Sequence, residues 1–187
     1  MVLHVSKAMD ENTRLKEIDR IRREYERRAR EIPADFYSTK DPANLFSYTQ
    51  RLRWLVSFLK KNRLFPLRGK KILDVGCGTG SWLLQLRDWG AAENDLFGID
   101  LDEGQIAYAK GRLPQGDLRP GEASKLPWAS GSFDFIIQAT LFTSVLESSL
   151  KKAIAGEMLR SLKPSGVILW YDFTYDNPWN SNVRGIG

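Results

Sequence analysis

Leu15, Ile18, Ile21, Tyr25 and Ile32 recur at helical spacing among charged neighbours, which predicts an amphipathic helix over residues 10–30, ended by Pro33. After the loop IPADFYSTKDPAN, the stripe Leu45, Tyr48, Leu52, Leu55 and Leu59 predicts a second helix to about Leu64, stopped by Pro66. From Lys71 the pattern changes. Short apolar runs without polar alternation (KILDV, LFGID, FDFIIQ, VILWYDF) are separated by helical stretches, and GDLR is a weaker strand. Pro120 at the end of that weaker strand lacks a donor, so it belongs at a sheet edge. The helices are predicted at Ser81–Trp89, closed by Gly90; after Asp102 as cap; and along Leu150, Ile154, Met158, Leu159 and Leu162, ended by LKPSG. Apolar strands alternating with helices imply a parallel sheet covered on both faces. The organisation expected is an N-terminal helical cap or lid over residues 1–66 and an α/β domain over 67–187.

Composition narrows the class. With 187 residues the chain fits one α/β domain, and its 42% hydrophobic and 27% charged residues are those of an ordinary globular protein. No apolar run approaches a membrane span, and MVLHVSKAMDEN lacks a basic leader followed by an apolar stretch, so a cytoplasmic location is expected. The single cysteine, Cys77, excludes an internal disulfide framework. The net charge of +5 favours anionic partners, but the most charged stretch, residues 10–31, holds eight basic and seven acidic residues. That balance reads as a solvated helix laced by i,i+4 pairs before it reads as a nucleic-acid surface.

ILDVGCGTG, residues 72–80, carries the chemistry. A strand running into a glycine turn and then a helix sets a ligand beyond the strand's carboxyl end, beside a helix N-terminus. Gly76, Gly78 and Gly80 permit tight torsions and close backbone approach. A dinucleotide fingerprint counted from Gly76 ends on Ser81 rather than glycine, and no lysine follows as a phosphate-binding loop requires.

This loop closely resembles the nucleotide-binding loop of class I S-adenosylmethionine-dependent methyltransferases, whose first strand ends in an acid before G-x-G-x-G. The resemblance continues in family order over residues 71–173: GID at the second strand, GEASKLPW for the family's acid-small pair ahead of LPF, SGSFDFIIQ for the fourth strand, and EMLRSLKPSGVILWYDF for the next helix and fifth strand. It implies a Rossmann-like three-layer sandwich with parallel order 3-2-1-4-5, and S-adenosylmethionine as cofactor. It implies that Asp100 holds the ribose hydroxyls, unless it merely caps the next helix. Asp74 would meet the cofactor's ammonium directly or through water, or else organise the loop. Glu122 would face the adenine amino group while the Ala123 backbone reads a ring nitrogen. Leu101 would lie against adenine or simply pack, Gln138 would reach the methionine portion, and Cys77 would be a small filler within the loop.

The activity implied is in-line transfer of the sulfonium methyl to an acceptor. Tyr171 and Asp172, at the end of the fifth strand, are the catalytic candidates, beside structural readings for both; Phe36, Tyr37 and Tyr48 are candidates to shape the acceptor pocket under the cap, and Arg51 to meet a carboxylate. His4 lies too near the start to serve as a base, and no metal site is expected. DNPW, residues 176–179, lies after the wrong strand and lacks the second proline of the amino-group methylase clamp. The small-molecule branch of the family therefore fits best. A cofactor-binding protein without transfer and an RNA methyltransferase remain the alternatives. Family members close the sheet with two further strands, which TYDNPWNSNVRGIG is too short to supply. A truncated chain with an exposed fifth-strand edge, open to homodimer formation, is expected.

Overall fold

A computed structural model of the chain describes residues 10–33 and 35–186. His4 lies outside them. The helix starts follow the capping chemistry of the sequence. Asp10 caps α1 (Glu11–Glu31) by accepting from Thr13 N at 3.1 Å. Asp41, followed by Pro42, caps α2 (Pro42–Lys61) through Ala43 N and Asn44 N. The Rossmann-like part then runs β1 (Ile72–Val75), α3 (Ser81–Asp88), β2 (Leu96–Asp100), α4 (Glu103–Arg112), β3 (Asp117–Pro120), β4 (Phe133–Ala139), α5 (Leu141–Ser144), α6 (Ser148–Ser161) and β5 (Leu162–Tyr171).

The five strands pair in parallel in the order β3-β2-β1-β4-β5. Val75 stands opposite Ile99 on one side and Gln138 on the other, so the carboxyl ends of the three central strands are level. The crevice between β1 and β4, where the chain direction of winding reverses, opens there. One face of the sheet (Ile72, Phe135, Ile137, Leu169) packs on α2, α3 and α4; the other (Leu73, Val75, Ile99, Ile136) packs on α1, α5 and α6. The two N-terminal helices thus do not form one cap. Leu55 and Leu59 make α2 part of the first layer, while Ile18 and Ile21 set α1 on the opposite face.

One departure from the sequence reading has a physical cause. Leu15 and Leu45 are 46% and 49% exposed, whereas Arg14, Glu17 and Glu24 of α1 are buried. The inner face of α1 meets loop backbone that needs polar partners, not only aliphatic side chains. LKPSG ends α6 as expected and itself forms the irregular start of β5, with a register shift between Phe133 and Phe135. As expected, no strand follows β5 among the described residues and its outer edge is unpaired; the segment after it folds back on α5, where Arg184 N donates to Thr143 O at 2.9 Å. No helix among those residues is long and apolar enough to cross a membrane.

Candidate cofactor site

The loop after β1 is held against the end of β2 by its own backbone. Gly76 N and Cys77 N both donate to Ile99 O, at 2.8 and 3.1 Å. Gly76, Gly78 and Gly80 have φ of 77°, 51° and 74°, a region that glycine enters without steric cost. A Cβ on Gly76 would also stand 3.2 Å from Leu141 Cδ1, so the bare backbone sets the width of the crevice here. Cys77 points into the core beside Gly98, and burial pushes its thiol above the ordinary range. It is a filler with no basic partner to form a thiolate.

Asp100 closes the other side of the loop. Its Oδ2 accepts from Gly78 N at 2.8 Å and its Oδ1 from Asp102 N at 3.0 Å. Asp102, not Asp100, caps α4 through Gln105 N at 3.0 Å. With capping assigned elsewhere, Asp100 retains an acceptor lone pair on each oxygen, and burial holds its pKa above the usual carboxylate value against the pull of the two amides. Asp74 is more extreme. It is 1% exposed, neither carboxylate oxygen has a hydrogen-bond partner among the described residues, and burial together with the nearby Asp100 charge pushes its pKa up to about 8. A buried carboxyl without partners is costly unless something else supplies them.

The crevice beside Asp100 is narrow and largely apolar. Gly76, Asp100, Leu101, Gly121, Ala123 and Ser124 form one wall; Leu141, Val145, Leu150 and Ile154 form the other. Ile18, Ile21 and Tyr25 of α1 lie across it. Polar contacts tie α1 to both rims: Arg14 donates to Glu122, Arg20 to Ser144 O at 2.6 Å, and Leu146 N donates to Glu17 at 2.5 Å. Farther along, Asn182 donates to Glu24 at 2.9 Å. The charged stretch is therefore a roof as well as a solvated face, and its Arg14, Arg20, Arg27 and Arg28 are each paired with a carboxylate.

The methyltransferase-domain family matches residues 72–166, half of the chain and the whole of this crevice's strand framework. The chain belongs to the class I S-adenosylmethionine-dependent methyltransferases. It is 29% identical to a demethylmenaquinone methyltransferase of Lactococcus lactis over 77% of this chain and 58% of that protein. It is 33% identical to one of Renibacterium salmoninarum over 71% of this chain and 52% of that protein. A solved sarcosine dimethylglycine methyltransferase homologue from Galdieria sulphuraria superposes at TM-score 0.54 with 26% identity, covering 62% of this chain and 43% of its own. The chain spans about half the length of the curated relatives it matches.

The geometry of the crevice fits S-adenosylmethionine, the cofactor of the family. The unpartnered Asp74 suits a cationic group, the free lone pairs of Asp100 suit a diol, and the apolar strip of Leu101 and Ala123 suits a heteroaromatic ring. The other site residues expected from the sequence divide between the rim of the crevice and positions facing away from it. Glu122 is on the rim, engaged by Arg14. Gln138 is fully buried and donates to Asp172 Oδ2 at 2.7 Å, while its Oε1 accepts from Leu141 N at 3.3 Å, so it braces the end of β4. Asp172 also accepts from Thr143 N and Thr143 Oγ1 at 3.1 and 3.0 Å, which leaves it a structural anchor for α5. Tyr171 faces the opposite side of the sheet, beside Trp54 and Trp82. Tyr48, bonded to Gln85 at 2.9 Å, and Arg51 over its ring also lie on that side; Phe36 and Tyr37 are exposed. The sequence reading missed Arg14, Glu17 and Arg20. Arg14 and Glu17 stand four positions before Ile18 and Ile21 on the same helical face and Arg20 at its margin, but their distant partners leave no mark in that spacing.

Proposed function

We propose that this methyltransferase alkylates a small, mainly apolar acceptor that carries its own acidic nucleophile. The composition of the crevice supports this reading. Among its lining residues only Asp100 and Tyr25 titrate, burial raises the pKa of both, and Asp100 is committed to Gly78 and Asp102. Tyr171 and Asp172, the residues expected to act as bases, are turned away or saturated with donors. An acceptor such as an enolisable or phenol-like ring loses its proton without a dedicated base, whereas an alcohol does not.

S-adenosylmethionine, when bound, supplies an activated methyl group on a sulfonium. The work of the chain is then alignment and exclusion of water. Asp100 orients the ribose end and Asp74 the ammonium end. Ile18, Ile21, Val145, Leu150 and Ile154 keep the transfer path dry and select an apolar acceptor. The resemblance to demethylmenaquinone methyltransferases agrees with an acceptor of this kind, a hydroxylated aromatic ring with an apolar substituent. The test is incubation with methyl-labelled S-adenosylmethionine and separate pools of short-chain demethylated hydroxynaphthoquinols, sugars and unmodified RNA. Label in the organic-soluble quinol pool is expected. Label in RNA alone, or cofactor binding with no transfer to any pool, would displace this reading in favour of the corresponding alternative.

A further inference from the structure

The contact between α1 and the adenine-side rim is more specific than roofing requires. Arg14 is 5% exposed although it carries a full charge. Its Nε donates to Glu11 Oε2 at 2.9 Å, Nη2 donates to Glu11 Oε1, and Nη1 donates to Glu122 Oε2. The planar guanidinium is thus fixed by one carboxylate of its own helix and presents its remaining edge to a loop more than a hundred residues away, at a sequence separation of 108. Only Oε2 of Glu122 is engaged by this pair and by Ser124 Oγ at 3.4 Å; Oε1 has no partner among the described residues. The flanking Gly121, Ala123 and Ser124 all line the crevice. Glutamate is long and has three rotatable bonds, so without an anchor its free oxygen would sample many positions.

We propose that Arg14 is a positioning residue for cofactor recognition: it clamps one oxygen of Glu122 so that the other accepts from the exocyclic amino group of the cofactor's adenine, making α1 part of the purine-discriminating site. The proposal rests on the assignment of Glu122 to adenine, and its consequence is selectivity between a purine with a donor at this position and one with an acceptor. An anchored carboxylate favours the amino group and repels a carbonyl oxygen; a mobile one turns away into solvent and discriminates little.

The test measures dissociation constants by calorimetry for S-adenosylhomocysteine and for S-inosylhomocysteine, which differ in the 6-amino and 6-oxo groups. Wild type, Glu122→Gln, Arg14→Met and the double variant are compared, with folding verified by circular dichroism. The wild-type preference for the adenosyl compound is expected to be about tenfold or more, the scale of one charge-assisted hydrogen bond. Glu122→Gln should abolish it. Arg14→Met should reduce it nearly as far, the double variant should be no worse than Glu122→Gln, and Arg14→Lys should restore part of it. Arg14→Lys alone, with a single compact donor in place of the fork, should show an intermediate preference and serves if Arg14→Met does not fold. If Glu122→Gln abolishes the preference but Arg14→Met leaves the ratio unchanged, Arg14 is only structural and the proposal falls while Glu122 stands. Tighter binding of both compounds by Arg14→Met would make the pair a latch that competes with adenine, which also overturns it. An unchanged preference in Glu122→Gln would remove the adenine assignment and the proposal together.

Discussion

Replacing Asp74 by asparagine should stabilise the cofactor-free protein, and the gain should grow with pH. The side chain is nearly isosteric but never ionises. In wild type the carboxyl is 1% exposed without a hydrogen-bond partner among the described residues, and its pKa is pushed up to about 8. In the unfolded chain it titrates near ~3.9. Below the unfolded value both states hold the proton, and the variant differs from wild type only in packing. Between the two values the native state binds the proton that the unfolded state has lost. Wild-type stability therefore falls as pH rises, by as much as about 1.4 kcal/mol per pH unit, until the native pKa is passed. At neutral pH the accumulated deficit has a ceiling of about 4 kcal/mol, reduced by relaxation around the site. Urea unfolding without cofactor at roughly pH 5, 6 and 7, extrapolated to water, gives the difference between the two proteins, in which the titrations not coupled to Asp74 cancel. A widening gap is expected. A gap constant with pH would refute the partnerless-carboxyl argument. The same linkage acts on the ligand: a cation placed beside Asp74 lowers its pKa, so binding of S-adenosylhomocysteine should release a proton below about pH 8, its affinity rising toward that pH in wild type and staying level in Asp74→Asn.

Asp100→Ala should weaken S-adenosylhomocysteine binding by about 1.5–3 kcal/mol, the range for hydrogen bonds to a charged group, with calorimetry as the check and an unchanged dissociation constant as the contrary result. Cys77, 5% exposed and with its thiol pushed above the ordinary range, should react with a disulfide reagent only as fast as the protein unfolds; rapid labelling under native conditions would contradict its buried placement. The outer edge of β5, unpaired among the described residues, should pair with a second copy, and a strictly monomeric sedimentation profile would remove that expectation.

The sheet was legible because its determinants are local. Apolar runs marked the strands, Pro120 marked an edge, and Asp102 declared itself a cap by its position before the Glu103 helix. The ends of the strands were read less well. Period-two alternation puts Val167, Leu169 and Tyr171 on the α2–α3 side and Ile168 on the crevice side, a parity that would have withdrawn Tyr171 from the catalytic candidates. Asp172 and Gln138 could not be separated from cleft residues in this way, because their mutual bond spans 34 positions and leaves no periodic trace. The inner charges of α1 were hidden for a related reason. A charged residue on an apolar face reads as noise in the stripe until its distant partner is known, and Glu17 finds its partner at a separation of 129.

Those separations also impose an order on assembly. Every polar tie that holds α1 over the crevice, to Glu122, Ser144, Leu146 or Asn182, reaches at least 108 positions forward in the chain. On a ribosome, α1 is made first and can dock last, since contacts distant in sequence cannot form until both partners have emerged. The glycine loop and Asp100 are complete long before that. The far wall of the crevice, Leu141, Val145, Leu150 and Ile154, is made only after Glu122 and alongside Ser144 and Leu146, so the groove and the anchor points of its roof become available together. The first helix made therefore waits for the second half of the chain before it has a surface to cover.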